Sequence, residues 1–217
     1  MSESDEISYE LFKPFGPFVG DFTIPRRIVD TLNRYTDEVV ADGAKAQNLD
    51  LSSYLAGEVT QEFKVDPAVV EGELGRYLMD ITATYIEVTT GRKISKFKVL
   101  GCWIVRSFEG DFNPPHNHRG HVSGAGYLMI PDQIGSSEGS RKRARTAGMI
   151  NFVHGTDQFL SGGHISMLPK VGHIFLFPHY LNHSVNPFSG SGERRSFSFN
   201  ALIDDEIYDI HSNSRLE

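Results

Sequence analysis

The spacing of apolar residues divides this chain of 217 residues into a helical first part and a β-rich second part. After Pro25, apolar side chains recur at i, i+4, i+7 and i+11, which predicts an amphipathic helix that ends near Gly43. The members of this stripe are Ile28, Leu32, Tyr35 and Val39. A longer helix is predicted from the cap and first turn Asp66-Pro67 to a stop near Gly91. Its apolar face carries Val70, Leu74, Tyr77, Leu78, Ile81 and Tyr85.

From Lys93 onward the period changes to two, and short β-rich segments alternate with Gly, Pro and Asn turns. The predicted strands are 94–108, 122–130, 148–153, 163–168, 172–178 and 194–202. Short, numerous and evenly spaced strands after helices indicate an α+β fold, a jelly roll or barrel with the N-terminal helices packed on one sheet. We expect a single domain over residues 1–217. Residues 1–92 would form the mainly helical layer, 93–202 the barrel and 203–217 a tail, and the polar first ten residues should be frayed.

The last predicted strand separates polar from aromatic side chains by its alternation. One face carries Arg194, Ser196, Ser198 and Asn200, and the other carries Arg195, Phe197, Phe199 and Ala201. If the aromatic face meets the N-terminal helices, the polar face lines the interior of the barrel. A polar barrel interior is where a functional site would lie.

Charge and cysteine content narrow the class of partner and the compartment. The net charge of -7 argues against a nucleic-acid binder, which needs a basic surface. The local run Arg141-Lys142-Arg143-Ala144-Arg145 is interpreted as a solvated loop, or else as a docking patch for an acidic substrate or RNA. It lies within 132–147, a polar segment predicted to form a mobile loop over one end of the barrel and to act as a lid or substrate contact. We expect a cytoplasmic protein, because the chain has a single cysteine and its N-terminus lacks the features of a signal peptide. The lack of a long apolar run predicts that it lies outside the membrane.

Eight of the nine histidines lie between His116 and His183, and those that bracket this cluster have the spacing of a metal site. His116 and His118 would project from one strand in the same direction, and His183, after a proline turn, could supply a third ligand. Imidazole donors favour a transition metal over calcium or magnesium. Arg194, eleven residues after His183, suggests an anionic cosubstrate beside the metal.

The remaining histidines of the cluster are predicted to be hydrogen-bonded turn or strand residues and not ligands. They are His121, His154, His164, His173 and His179. Cys102 and Trp103 are predicted to be core residues.

The segment from Trp103 to Asn200 resembles the double-stranded β-helix of Fe(II)/2-oxoglutarate-dependent oxygenases, in particular the prolyl-hydroxylase-like branch with its uncharacterised microbial and phage members. The resemblance is carried by GDFNPPHNHRGHVSGAGYLMIP, GHIFLFPHYLNHSVNP and ERRSFSFN. It implies a cupin-like barrel that uses Fe(II), 2-oxoglutarate and O₂, with ascorbate as an accessory reductant.

By position, the resemblance makes His116, His118 and His183 the metal ligands. Arg194 and Ser196 match residues that hold the remote carboxylate of 2-oxoglutarate, and Tyr127 matches a tyrosine that hydrogen-bonds the same carboxylate. The implied activity is hydroxylation of an unactivated C–H bond in a protein, peptide or small-molecule substrate, with a peptidyl proline as the leading candidate.

His118 departs from the family pattern, because the family usually has a carboxylate at that position. Three neutral ligands would leave the metal its full +2 charge, and three histidines plus a water also make a good zinc site. Two alternatives therefore stay open: a zinc-dependent hydrolase or isomerase on a cupin-like barrel, in which Arg194 binds a substrate carboxylate, and a non-catalytic binding domain built on the same barrel.

Overall fold

The computed structural model describes residues 7–13, 16–52, 56–135 and 146–209. Its helices are Arg26–Ala41 (α1), Gly43–Leu49 (α2), Pro67–Val69 (α3), Gly75–Thr90 (α4) and Asp205–Tyr208 (α5), and a π-helical turn, Val70–Leu74, joins α3 to α4. Its strands are Tyr9–Phe12 (β1), Val19–Thr23 (β2), Gln61–Lys64 (β3), Phe97–Ser107 (β4), Asn113–His116 (β5), Val122–Met129 (β6), Ile150–Val153 (β7), His164–Met167 (β8), His173–Pro178 (β9), Asn182–Val185 (β10) and Arg194–Ile203 (β11).

The two predicted helices are present, and their apolar stripes are buried. Asp66 accepts a hydrogen bond from the backbone N–H of Ala68 and so caps α3, while Gly91 ends α4 in the left-handed conformation at φ 73°. The sequence predicted one continuous second helix, but the structure divides it into α3, the π-helical turn and α4. Gly72 has non-helical backbone angles inside the π-helical turn, and a glycine allows this conformation at little steric cost.

The strands form two antiparallel sheets. The large sheet has the order β1-β2-β9-β6-β11-β4-β3, and the small sheet has the order β5-β10-β7-β8. Two such sheets with helices on one side are the predicted α+β architecture, a double-stranded β-helix. All six predicted strands are present within a few residues of their expected bounds.

Three strands of the large sheet come from the region predicted to be mainly helical. The expectation that the first ten residues are frayed is wrong for the last of them, since β1 begins at Tyr9, whose ring stacks on that of Phe22 at 5.4 Å between centroids. The strands β1, β2 and β3 were missed because each has only four or five residues, too few for a clear alternation. Their partners come from distant parts of the chain, as β2 pairs with β9 and β3 with β4.

One face of the large sheet packs on the helices, and the other faces the small sheet, with which it forms a second apolar cluster beside the polar residues of β11. Phe197 and Phe199 of β11 lie in a cluster with the buried residues of α1 and α4, among them Leu32 and Ile81. Gly124 and Gly126 on β6 leave the space that these two rings occupy, because a Cβ at either position would overlap a ring. Cys102 belongs to the same cluster, as predicted for a core residue.

The middle of the predicted loop 132–147, and with it the basic run 141–145, lies outside the described residues. Among the helices that the structure does describe, none combines the length and the apolar character needed to cross a bilayer.

Candidate metal and cosubstrate site

The three predicted ligands come together at one end of the small sheet. His116 is the last residue of β5 and His183 lies on β10, and the two are directly paired across the antiparallel ladder. Paired residues project from the same face of a sheet, which brings these two rings to 4.3 Å between centroids.

His118 reaches the same place by another route than the sequence predicted. It does not share a strand with His116, because β5 ends at His116 and His118 lies in the following loop. Two hydrogen bonds with His179 replace the strand: the His118 N–H donates to the backbone carbonyl of His179 at 2.9 Å, and the side-chain Nδ1 of His179 donates to the carbonyl of His118 at 3.0 Å.

The donor atoms of the three imidazoles all lie within 4.8 Å of one another. Nε2 of His118 and Nε2 of His183 are 3.1 Å apart. Two nitrogens bound to a single ion at about 2.1 Å and at about 90–110° lie about 3.0–3.4 Å apart. The spacing therefore matches two neighbouring ligands of one transition-metal ion.

In His116 and His183, hydrogen bonds to backbone carbonyls determine which ring nitrogen is free to bind a metal. Nδ1 of His116 lies 2.7 Å from the carbonyl oxygen of Pro114, and Nδ1 of His183 lies 2.9 Å from that of Leu181. A carbonyl can only accept, so each Nδ1 carries the proton and each Nε2 keeps its lone pair. Such hydrogen bonds also orient the rings of metal-binding histidines.

Burial keeps all three imidazoles neutral at physiological pH. Removal from water, together with a smaller effect of the neighbouring histidines, lowers the pKa of His118 to about 3. Burial also lowers the pKa of His183 to about 4 and lowers that of His116. A neutral imidazole is the form that binds a metal, so this site needs little deprotonation before it can accept an ion.

Aromatic neighbours and a second hydrogen-bond layer hold the rings in place. The indole of Trp103 meets His118 edge-on at 5.6 Å, and Phe177 meets His183 in the same way at 4.8 Å. His179, which holds the backbone of His118, accepts at Nε2 a 2.8 Å hydrogen bond from the hydroxyl of Tyr208 on α5. The end of the described chain is thereby linked to the candidate metal site.

Within the described residues, the group that could hold a metal contains three histidines and no carboxylate. Asp111, the acidic residue nearest in sequence, has another role. Its Oδ2 accepts hydrogen bonds from the backbone N–H and hydroxyl of Thr60 at 2.7 and 2.8 Å and from the N–H of Phe108 at 2.9 Å. It therefore connects the 56–60 segment to the turn that precedes β5.

The polar face of β11 opens onto a cavity of about 220 Å³ that the three histidines also line. Arg194, Ser196 and Tyr127 all contribute to its wall, and Ser196 and Tyr127 are paired across β11 and β6. The prediction that this face lines the barrel interior is confirmed. The structure thus places the predicted cosubstrate residues and the predicted metal ligands in one cavity.

Arg194 is buried, at 2 % exposure, and no described carboxylate forms an ion pair with it. Its guanidinium donates to the carbonyl of Gly148 at 3.3 Å and to the hydroxyl of Ser107 at 3.0 Å. A guanidinium has five N–H donors, so further donors remain for a ligand. Removal from water lowers the pKa of Arg194, and the longer-range charge of Asp111 opposes this shift.

Arg195 projects to the opposite face, as the alternation predicts. It is also buried, but acidic partners surround it: Glu193 at 2.7 Å and Asp37 on α1 at 2.8 Å. A second arginine, Arg106, binds the same Glu193 at 2.8 Å. Arg194 and Arg195 therefore have different roles. Arg195 joins the sheet to helix α1 through ion pairs, whereas Arg194 faces the cavity without an ion pair among the described residues.

Trp103 and Glu62 are among the cavity residues that the sequence did not predict. Trp103, expected in the core, lines the cavity with part of its indole. Glu62 on β3 also lines it, although the side chain is only 1 % exposed. The alternation of Glu62 and Phe63 shows that they face opposite sides, but no local pattern reveals that both sides of this short strand are covered.

The other predicted non-ligand histidines lie outside the metal group, as far as the described residues show. His121 stacks on Tyr208 at 4.0 Å between ring centroids and accepts the N–H of Ile203. His173 lies 2.9 Å from Asp21. Both are hydrogen-bonded strand or turn residues, as expected.

Part of the chain is similar to a known family. Residues 101–200 match the model of a family described as "Putative 2OG-Fe(II) oxygenase". Comparison with curated proteins by sequence yields no match.

Three solved structures illustrate the shared fold. A Pseudomonas putida prolyl-4-hydroxylase is 19% identical with a TM-score of 0.54, covering 91% of this chain and 92% of that one. HygX from Streptomyces hygroscopicus, with nickel and 2-oxoglutarate bound, is 11% identical with a TM-score of 0.55, covering 88% and 84%. The viral collagen prolyl hydroxylase of Paramecium Bursaria Chlorella virus-1, a 2-oxoglutarate complex, is 15% identical with a TM-score of 0.51, covering 89% and 94%.

Fold and donor set together define a cupin-like barrel with a group of three histidines that could hold a transition metal. The family model matches less than half of the chain, and the solved structures share its fold; both agree with the resemblance to Fe(II)/2-oxoglutarate-dependent oxygenases that the sequence predicted. The matched family and these structures are oxygenases or related enzymes, in agreement with the expectation of an enzyme.

Proposed function

We propose that this protein is an Fe(II)- and 2-oxoglutarate-dependent dioxygenase that hydroxylates an unactivated C–H bond. His116, His118 and His183 would hold the iron through Nε2. Their fit to a metal rests on the neutral state of the rings, the 3.1 Å spacing of two Nε2 atoms and the Nδ1 hydrogen bonds to backbone carbonyls.

The observation that carries this proposal is the buried guanidinium of Arg194 beside the three histidines. A buried charge that lacks a counter-ion is unfavourable unless a ligand supplies one. The described part of the chain offers Arg194 no ion pair, and its side chain lines the same cavity as the histidines. A dicarboxylate that binds the metal at one end and Arg194 at the other would satisfy both sites.

Ser196 and Tyr127 are proposed to bind the same remote carboxylate as Arg194. They face each other across two strands, so their hydroxyls can approach one ligand from adjacent positions. Burial raises the pKa of Tyr127 above its ordinary value, and the charge of Arg194 only partly offsets this shift. The phenol therefore stays protonated and can donate a hydrogen bond to a carboxylate.

The bound iron and cosubstrate would supply the oxidising chemistry, in which one atom of O₂ enters the substrate and the other enters succinate as CO₂ is released. The protein's own part is to bind, to orient and to exclude water. The aromatic wall around His118 and His183 limits solvent at the metal, and the fork of Arg194 sets the direction of the cosubstrate.

For the substrate we propose a peptidyl side chain, with proline as the first to test. The support is that two of the similar structures are prolyl hydroxylases, whereas another was solved with hygromycin B bound. Prolyl peptides and small molecules should therefore both be screened, with incorporation of one oxygen atom read by mass spectrometry.

One observation favours a second candidate, a zinc-dependent hydrolase or isomerase. The donor set has three imidazoles and, among the described residues, no carboxylate, and three histidines plus a water suit zinc. Arg194 would then bind a carboxylate of the substrate. Metal analysis of protein purified without a histidine tag distinguishes the two.

The direct test is conversion of 2-oxoglutarate to succinate by the purified protein with Fe(II), O₂ and ascorbate as assay reductant. Slow turnover is expected even without the primary substrate, and Arg194→Lys should weaken 2-oxoglutarate binding about ten- to a hundred-fold, because it keeps the charge but loses the two-pronged contact. The matched control is Arg34→Lys on the exposed surface of α1. Iron-loaded protein that neither binds 2-oxoglutarate nor releases succinate would refute the proposal and favour a non-catalytic binding domain.

A further inference from the structure

Glu62 is a buried carboxyl group in the wall of the cavity, away from the residues proposed for metal and cosubstrate. It is paired with Val105, which is paired in turn with Ser196. Paired residues share a face, so Glu62 and Ser196 both face the cavity. Two strand spacings, about 10 Å, separate them along this row, which places Glu62 toward the edge of the large sheet.

One oxygen of this carboxyl group has no partner. Asn113 is the hydrogen-bonding neighbour of Glu62, and Gly57 packs so closely over both that a Cβ there would lie 2.7 Å from the amide nitrogen of Asn113 and 2.8 Å from Oε1 of Glu62. Oε2 is buried and, among the described residues, has no hydrogen-bond partner. Native proteins pair their buried polar atoms, so a buried acceptor without a partner, on a residue that lines a cavity, points to a ligand.

Trp103 supplies a second, independent feature on the same wall. It lies two residues from Val105 on β4, which makes it the diagonal neighbour of Glu62 on the cavity face. Diagonal neighbours in an antiparallel pair are about 7–8 Å apart, close enough for one small group to contact both side chains. A carboxylate beside an indole is a favourable environment for a cationic nitrogen.

We propose that Glu62 and Trp103 form the recognition site for a cationic nitrogen group, an ammonium or guanidinium, of the primary substrate. This inference rests on the proposed function, since it assigns the substrate class of that same cavity. The substrate would be an amine- or guanidine-bearing molecule, or a peptide with a lysine or arginine beside the reacting residue.

The charges of the occupied cavity agree with this assignment. With three neutral ligands, the divalent ion, the dianionic cosubstrate and Arg194 leave one net positive charge, which would repel a cation. The ionised form of Glu62 neutralises it. Burial raises the pKa of Glu62 to about 7, and the negative charge of Asp50 acts in the same direction, while the hydrogen bond from Asn113 opposes it. Binding is therefore best measured at pH 8, where the carboxylate form predominates.

The test uses Trp103 itself as the reporter, because it is the single tryptophan of the chain. The probes are N-acetyl-lysine methylamide and its neutral analogue N-acetyl-norleucine methylamide, which lacks the terminal ammonium. Each is titrated into wild-type protein, Glu62→Gln and the control Glu58→Gln, which removes an exposed carboxylate from the neighbouring segment. Titrations are made in the anaerobic protein saturated with Fe(II) and 2-oxoglutarate and again in metal-free protein.

Wild-type protein and Glu58→Gln should bind the lysine probe at least about ten-fold more tightly than the norleucine probe, as expected for a charge-assisted contact, and Glu62→Gln should lose this preference. Equal affinity of both probes for wild-type protein, or a preference that survives in Glu62→Gln, would overturn the proposal. The metal-free titration keeps this result separate from the proposed function, because it requires neither 2-oxoglutarate binding nor turnover.

Discussion

Replacing Glu62 with glutamine should stabilise the protein in a strongly pH-dependent manner. The substitution keeps the size of the side chain and removes only its ability to ionise. Burial is the main reason that the pKa of Glu62 is raised from 4.5 to about 7 in the folded protein, and Asn113 and Asp50 are the groups that modify this shift. In the unfolded chain the carboxyl group regains water and its ordinary pKa.

The sign follows from the order of the two values. Below about pH 4.5 Glu62 is protonated in both states, so its ionisation contributes nothing to stability. Between the two values the unfolded state loses its proton first and is favoured, and above about pH 7 the full penalty is present. Each unit of difference in pKa corresponds to about 1.4 kcal/mol, so the penalty reaches about 3 kcal/mol. Most paired carboxylates act in the opposite direction, because their pKa is lower in the folded state.

Urea denaturation from pH 5 to pH 9, with EDTA present, measures this effect. The difference in the free energy of unfolding between Glu62→Gln and wild-type protein should rise by about 2.5 kcal/mol over this range, or about 5–10 °C in Tm for a chain of this size. Any constant effect of the new amide cancels in the pH dependence. Glu58→Gln serves as the control, since its exposed carboxylate should show no such trend. A difference that stays constant with pH, or that falls, would refute the reasoning about burial.

Three further substitutions test the two faces of the barrel. His183→Ala should abolish stoichiometric Fe(II) binding, as measured by metal analysis. Its circular dichroism spectrum should remain that of a folded protein, because a ligand on a preformed barrel is not needed for folding. Unchanged metal content would remove His183 from the site. Arg195→Ala should lower the free energy of unfolding by about 2–3 kcal/mol, because it breaks the charged contacts to Glu193 and Asp37. A decrease below about 0.5 kcal/mol would contradict the role of Arg195 in joining sheet to helix. Arg194→Met should leave the free energy of unfolding unchanged or raise it, because an apolar side chain replaces a buried cation that has no ion pair. A decrease of more than about 2 kcal/mol would show that the hydrogen bonds of Arg194 to the cavity wall contribute more than its burial costs.

Local alternation was enough to assign the two arginines of β11. Successive side chains of a strand point to opposite faces, so the sequence already separated Arg194 from Arg195 once the aromatic face was assigned to the helices. The apolar stripe of α1 was predictable for the same reason, because both periodicities are properties of the backbone over a few residues.

Pairing between distant segments was beyond such patterns. The sequence placed His116 and His118 on one strand, whereas the pairing of β5 with β10 places His116 opposite His183, and hydrogen bonds with His179 bring His118 to them from a loop. Glu62 is the clearest case, since its place in the cavity wall follows from the pairing of β3 with the distant β4.

The sequence by itself therefore determined the class of fold and the direction of each side chain along the longer strands, because these depend on local periodicity. Only the tertiary structure decided which residues share the cavity: the route of His118, the position of Trp103 in the cavity wall and the unpartnered carboxyl group of Glu62. These depend on register and packing between segments far apart in the chain, and local propensity carries no information about either.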